Sequence, residues 1–239
     1  MAWSRLIRFV DDNGKETFGE PCIDKYDQLN ELLEKGELYA VEYAGQDPTT
    51  ATQQGAKVHV KELKDILKPS EVPIVKCIGL NYIKHRGRKE ASPFPSVFIK
   101  PSACVAGFKE DIPIPKIAQD GTVDYEGELA VVIGKTGKDI TKENALDHVL
   151  GYLASNDVSA RAWQRDPAKA GGVPQWCFSK GFDNDLLLQT FVNGEERQNS
   201  TTGDLLFGVK EIVSFVSQGT TLQAGTIILT GTPLVSPWA

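Results

Sequence analysis

Two glutamates one residue apart, Glu126 and Glu128, run straight into an apolar stretch in "DYEGELAVVIGK" (124–135). In a strand, residues two apart point to the same side. Both carboxylates would then leave one face, roughly 6–7 Å apart at the backbone. Gly127 between them leaves the other face open. Two acids that close repel each other unless a positive charge sits between them. A divalent metal is the economical answer, because hard Mg²⁺, Mn²⁺ or Ca²⁺ prefers oxygen ligands and a third carboxylate commonly completes the protein's share. Asp157, which ends another apolar run in "LASNDVSAR", is the candidate third ligand. Read alone, the pair also suits a solvated strand start.

These acids need strands to carry them. Residues 3–20 read as a hairpin, with "WSRLIRFV" as a strand and "DDNGKE" as the turn. "YDQLNELLEKGEL" reads as a helix, with Asp27 as N-cap, Leu29, Leu32 and Leu33 on one face and Gly36 at its end. "LYAVEYAG" and "AKVHVKEL" read as further short strands. This makes a small N-terminal α+β module over residues 1–70, with "LKPSEVPIV" as the linker. From residue 71 to residue 239 short strands follow one another: "IVKCIGL", "SVFIKP", "GELAVVIG", "GYLASNDV", "LLLQTFVNG" and "TIILTGTP". "TKENALDHVLGY" reads as a helix capped by Thr141. "GVKEIVSFVSQG" reads as another, with Val209, Ile212, Val213 and Val216 on one face. The predicted class is α+β and β-rich, with a mixed or antiparallel sheet.

Composition narrows the partners. The chain has 239 residues, 41% of them hydrophobic, which suffices for a sizeable core. Its net charge of −6 argues against nucleic acid or an anionic membrane, and leaves room for a local positive pocket that takes a small acid. The basic run "KHRGRK" (84–89) does not change that balance. No apolar run has the length of a membrane span or a signal peptide. Cys22, Cys77, Cys104 and Cys177 form no CxxC pair and no zinc spacing, so a reduced compartment is expected and the protein is read as cytoplasmic.

Seven segments occur in one order: "CIGLNYIKH" (77–85), "SVFIKPSACVAG" (96–107), "DYEGELAVVIGK" (124–135), "NDVSARAWQ" (156–164), "GGVPQWCFSKGFD" (171–183), "VNGEERQNSTTGDLLF" (192–207) and "AGTIILTGTP" (224–233). Together they resemble the fumarylacetoacetate hydrolase family, in its single-domain acylpyruvase and oxaloacetate decarboxylase branch. The resemblance implies a mixed β-roll of the fumarylacetoacetase C-terminal type around a buried Mg²⁺ or Mn²⁺, with Ca²⁺ also used in the family. It places the metal on Glu126, Glu128 and Asp157. It implies C–C hydrolysis or decarboxylation of a 2-oxo or 1,3-diketo acid such as an acylpyruvate, fumarylpyruvate or oxaloacetate, and a homodimer. An isomerase or hydratase on the same scaffold, or a catalytically impaired metal-binding member, are the alternatives.

The resemblance also assigns roles. Lys180 matches a pocket lysine that meets developing enolate charge. His85 matches the base of a lid motif that deprotonates water. Tyr82, Lys100, Arg161, Gln164 and Thr232 match substrate-side positions. For Lys100 the alternative is holding a metal-ligand carboxylate. For Arg161 it is capping, or pairing with Asp157. Trp163 and Trp176 read as core or pocket wall.

Three departures accompany the resemblance. Hydrolytic members carry a glutamate three residues after the histidine, where this chain has Arg88, and Glu90 is displaced. A loop of roughly twenty residues that the resemblance implies after Lys180 is replaced by a near-direct join to "VNGE". Strands implied after "GTP" are missing from "GTPLVSPWA". An open sheet edge beside "TIILTG" and a less stable fold are therefore expected.

Overall fold

The structure, a computed structural model, describes residues 3–25, 28–45, 47–86, 92–107, 110–173, 175–184, 186–187 and 200–233. Asp27, Arg88, Glu90, the "VNGE" segment and the end of the chain after Pro233 lie outside the described residues. Contacts divide the chain into two compact units between Leu67 and Lys68. Among the described residues no helix is long and apolar enough to cross a membrane.

The first unit is an antiparallel sheet of five strands: β1 (Ile7–Val10), β2 (Glu16–Pro21), β3 (Tyr39–Ala44), β4 (Thr52–His59) and β5 (Glu62–Lys64), in the order β4-β3-β2-β1-β5. The β1–β2 turn closes because Asp11 Oδ1 accepts the backbone N–H of Asn13 at 2.9 Å and of Lys15 at 2.8 Å. Helix α1 (Gln28–Glu34) lies between β2 and β3 in sequence, and its leucines are only half-buried. "AKVHVKEL" forms two strands where the sequence suggested one. β4 pairs with β3 and β5 pairs with β1, so the chain must cross from one edge of the sheet to the other after His59.

Among its described residues the second unit holds nine further strands. These are β6 (Val75–Gly79), β7 (Ser96–Lys100), β8 (Val105–Ala106), β9 (Val123–Asp124), β10 (Gly127–Ile133), β11 (Val149–Asp157), β12 (Ser159–Ala160), β13 (Leu186–Leu187) and β14 (Ile227–Leu229). Seven of them form one mixed sheet in the order β7-β6-β14-β10-β11-β13-β8, and β9 pairs with β12. β14 runs parallel to β6 and antiparallel to β10. It thus has a neighbour on each side, and the open edge expected beside "TIILTG" is not there. Parallel pairing with β6, over 150 residues earlier in sequence, fills that side.

Helix α6 (Val209–Val216) buries Ile212, Val213 and Val216 against Ile78, Val131, Ile133 and Ile228 of the sheet, matching the apolar face read from sequence. The helix expected over "TKENALDHVLGY" is not formed. Residues 145–148 make a single 3₁₀ turn, and the chain joins β11 at Val149. Val149 to Asn156 pair along the whole of β10, and that ladder outcompetes local helix propensity. Of "LLLQTFVNG" only the β13 residues are described.

Candidate metal centre and active site

β10 and β11 deliver the three acids. Glu126 stands one residue before β10, and its register is fixed on both sides: Asp157 donates its N–H to the Glu126 carbonyl at 2.8 Å, and Asn156 Oδ1 accepts the Glu126 N–H at 2.9 Å. Glu128 lies within β10, and Asp157 ends β11. One carboxylate oxygen from each of Glu126, Glu128 and Asp157 lies within 4.8 Å of the others, and all three residues are buried. The strand period therefore put both glutamates on one face, as the spacing predicts.

Two lysines enter from other elements. Lys100, the last residue of β7, is fully buried and donates to Asp157 Oδ1 at 2.6 Å. Lys180 follows helix α5 (Trp176–Ser179) and is 3% exposed. Its Nζ donates to Glu126 Oε2 and Asp157 Oδ2, each at 2.8 Å, and to Ser159 Oγ at 2.5 Å. Burial disfavours the Lys180 charge, but Asp157, Glu126 and Glu128 outweigh it and hold its pKa above the ordinary value. Burial likewise pushes the Asp157 carboxyl up, and Lys100 and Lys180 outweigh it, leaving the group below its usual range.

Arg161, matched to a substrate-side position with pairing to Asp157 as the alternative, opens helix α3 (Arg161–Arg165) and pairs with two other acids. Its guanidinium holds Asp124 Oδ2 through Nε at 2.9 Å and Nη2 at 2.6 Å, and pairs through Nη1 with Glu126. The same Nη1 reaches Gln164 Oε1 at 3.0 Å. The β9–β12 pairing, which sets Asp124 opposite Ser159, brings this acid into place.

Glu128 is held differently. Among the described residues its hydrogen-bond donor is the Gly231 N–H, 2.7 Å from Oε2, and no lysine or arginine pairs with it. Burial, then Asp157 and Glu126, raise its pKa well above the ordinary value. A buried carboxylate facing two others without its own cation is a site that a hard cation satisfies. A donor set of three carboxylates suits a hard divalent ion better than softer ones. The residues present thus fit a divalent ion.

Gly231 can make this contact because of its backbone, at φ +95°. A Cβ there would lie 2.9 Å from the Ile78 carbonyl oxygen and 3.0 Å from Asn81 Cβ. Gly231→Ala is expected to destabilise the fold by about 1–3 kcal/mol and to weaken metal binding by turning the N–H away from Glu128. Thermal unfolding with and without Mn²⁺ checks both effects. An unchanged response to Mn²⁺ would detach this amide from the site.

Two of the acids line a cleft of about 50 Å³, Glu126 and Glu128, together with Lys180, Gln164, Gly231 and Thr232 and with Ile78, Leu80, Phe98, Arg165 and Trp176. Thr232 Oγ1 donates to the Gly127 carbonyl at 3.1 Å. Trp176 lies so close over Gly79 that a Cβ there would fall 2.2 Å from the indole. Tyr82 is buried and bridges to Leu205; it is not among the residues lining the cleft. Burial and the nearby Glu128 charge raise its phenol pKa. His85 lies in helix α2 (Ile83–Arg86), and its side chain lies outside the described residues.

The turn before α2 is clamped. Asn81 Nδ2 donates to the Thr230 carbonyl at 2.8 Å and the Phe207 carbonyl at 3.1 Å, and its Oδ1 accepts the Phe207 N–H at 2.9 Å. Asp124, Asn156, Ser159, Arg165 and Gly231 were not singled out from sequence.

The sequence profile of the fumarylacetoacetate (FAA) hydrolase C-terminal domain matches residues 74–237. The chain belongs to the fumarylacetoacetate hydrolase family. Its α+β, β-rich architecture is that of the family's C-terminal domain. A caffeoylpyruvate hydrolase of Neonothopanus nambi is 38% identical over 97% of this chain and 81% of its own length. A solved structure of 5-carboxymethyl-2-hydroxymuconate delta-isomerase from Mycobacterium smegmatis matches at a TM-score of 0.74 and 30% identity, covering 96% of this chain and 88% of the other. A fumarylpyruvate hydrolase from Pseudomonas aeruginosa, solved with Mn²⁺ and pyruvate, matches at a TM-score of 0.60 and 32% identity, covering 68% and 78%.

Proposed function

We propose that this family member is a divalent-metal-dependent hydrolase that cleaves an acylpyruvate into pyruvate and a carboxylic acid. The observation that carries the reading is the buried group Glu126, Glu128 and Asp157, in which Lys180 joins Glu126 to Asp157 and both glutamates line a cleft. The caffeoylpyruvate and fumarylpyruvate hydrolases among its relatives support the substrate class. Glu126, Glu128 and Asp157 would hold Mg²⁺ or Mn²⁺, and the ion would supply Lewis-acid polarisation of the 2-oxo acid's oxygens.

The chain's own groups supply the rest. Lys100 fixes Asp157, and Arg161 fixes Glu126, so both act on the acids and leave the substrate to others. Water would add to the acyl carbonyl, its proton going to His85, which follows the cleft-lining Gly79 and Leu80 in sequence. The C–C bond between the two carbonyl-bearing units then breaks, and its electron pair becomes the enolate of pyruvate. The Lys180 ammonium, whose charge Asp157, Glu126 and Glu128 favour, lines the cleft and would meet that developing anion. The proton taken up by His85 returns to that carbon, which completes pyruvate and restores the base. Gly231 and Thr232 line the same cleft, and a substrate carboxylate would lie against them.

A second reading, proton shift within an unsaturated 2-oxo acid, is favoured by the isomerase structure matched over nearly the whole chain. It uses the same enolate without added water. The deciding assay incubates Mn²⁺-loaded protein with acetylpyruvate, fumarylpyruvate and oxaloacetate and identifies products by NMR. Pyruvate plus an acid from a diketo substrate, lost on EDTA treatment, is the expected result. Isomer alone would shift the assignment to the second reading. Tight Mn²⁺ binding without turnover of any substrate would leave a metal-binding protein that has lost its chemistry. We expect a homodimer in solution, and light scattering at a mass near 26.1 kDa would remove that expectation.

A further inference from the structure

Helix α3 presents Arg161, Gln164 and Arg165 at positions i, i+3 and i+4, which share one helical face. The first two are committed inward. Arg161 pairs with Glu126 and Asp124, and Gln164 accepts from Arg161. Arg165 stands about 6 Å further along the axis. It is exposed, it lines the cleft, and among the described residues nothing hydrogen-bonds or ion-pairs with it.

The walls around it are flat and apolar. Trp176 packs directly over Gly79, and Phe98 meets the indole edge-on at 5.4 Å between ring centroids. Leu80, half exposed, completes that side. A planar conjugated chain would lie along such a wall with its end toward Arg165.

The charges of the inner site sharpen the reading. Four acids, Asp124, Glu126, Glu128 and Asp157, face three cations, Lys100, Lys180 and Arg161. A divalent ion turns the deficit of one into an excess of one, and the 2-oxo carboxylate of a substrate brings the group to neutrality. The inner site therefore has no positive charge left for a second carboxylate. Arg165 supplies one at the mouth.

We propose that Arg165 reads the far end of the substrate, so that this chain prefers acylpyruvates whose acyl tail ends in a second carboxylate. The proposal rests on the acylpyruvase reading and narrows it. A charged hydrogen bond at a partly solvated site is worth about tenfold in selectivity. Fumarylpyruvate and crotonylpyruvate make the comparison, since the second differs only by a methyl group in place of the distal carboxylate. The ratio of their kcat/KM values is expected to favour fumarylpyruvate in the wild type. It should fall about tenfold in Arg165→Gln, mainly through KM, and recover in large part in Arg165→Lys. A ratio that Arg165→Gln leaves unchanged overturns the proposal, because a residue that only supports the cleft would slow both substrates alike. If the wild type turns over neither compound, the acylpyruvase reading fails. Calorimetry with Mn²⁺ then decides between 2-oxoadipate and 2-oxohexanoate. A preference for the dioate that Arg165→Gln lacks sustains the assignment of Arg165, and equal affinities end it.

Discussion

Asp157→Ala is expected to abolish turnover, lower Mn²⁺ affinity more than a hundredfold and cost about 3–5 kcal/mol of folding stability. Both losses trace to one carboxylate. Asp157 is fully buried and accepts from Lys100 on one oxygen and Lys180 on the other. Removing it leaves two buried ammonium groups without the carboxylate they share, which is the situation in which breaking a buried ion pair is most expensive. Urea unfolding reads the stability, and calorimetric titration reads the metal. The two effects separate in a double variant. Adding Lys100→Met to Asp157→Ala removes one of the two charges that Asp157 offsets, so stability should return in part while metal binding and turnover stay lost. If Asp157→Ala binds Mn²⁺ as the wild type does, the ligand assignment is wrong.

Lys180→Met is expected to reduce kcat by about 10²–10³ with a smaller change in KM. Its Nζ pairs with both Glu126 and Asp157, and Ser159 Oγ, which also donates to the Asp157 carbonyl at 3.0 Å, helps aim it. Methionine keeps the length of the side chain and removes the charge. The three acids then face one another with less compensation, so the metal-free variant should melt below the wild type. Mn²⁺ should recover more of that loss than it adds to the wild type, since it replaces missing positive charge and stabilises the folded state by binding it. Scanning calorimetry with and without Mn²⁺ measures this, alongside steady-state kinetics. Turnover near the wild-type level in Lys180→Met would place the stabilising charge on some other group.

The acids were legible because their chemistry and their spacing agree. A period of two in a strand puts Glu126 and Glu128 on one side whatever the tertiary fold, and repulsion between them demands a cation. Lys100 and Lys180 were legible only through the order of the segments around them, since a lysine in a strand is ordinarily a solvated charge. The partner of Arg161 was not readable. Asp124 reaches it through the β9–β12 pairing, which depends on two short strands whose sequences carry little signal. Ser159 was hidden for a similar reason: a serine that aims a lysine looks in sequence like any other serine. Arg165 lacks a motif of its own, and only its exposure on the cleft side of α3 distinguishes it. The misread stretch at 141–152 shows the converse error. Ala145, Leu146, Val149 and Leu150 recur there at helical spacing, and the long β10–β11 ladder decided against a helix.

The ion pairs of the site join residues far apart in sequence: 57 positions for Lys100 and Asp157, and 54 for Glu126 and Lys180. Such contacts form slowly, because much chain must be closed before they offer anything in return. Until they form, a collapsing chain that encloses these groups holds charges with nothing to offset them, at a cost of several kcal/mol each. Premature collapse is therefore unfavourable here, and β7, β10, β11 and α5 gain by arriving together. The buried charge cluster thus works during folding as a checkpoint: non-native packings that bury one of its members without the others are penalised before they can become traps.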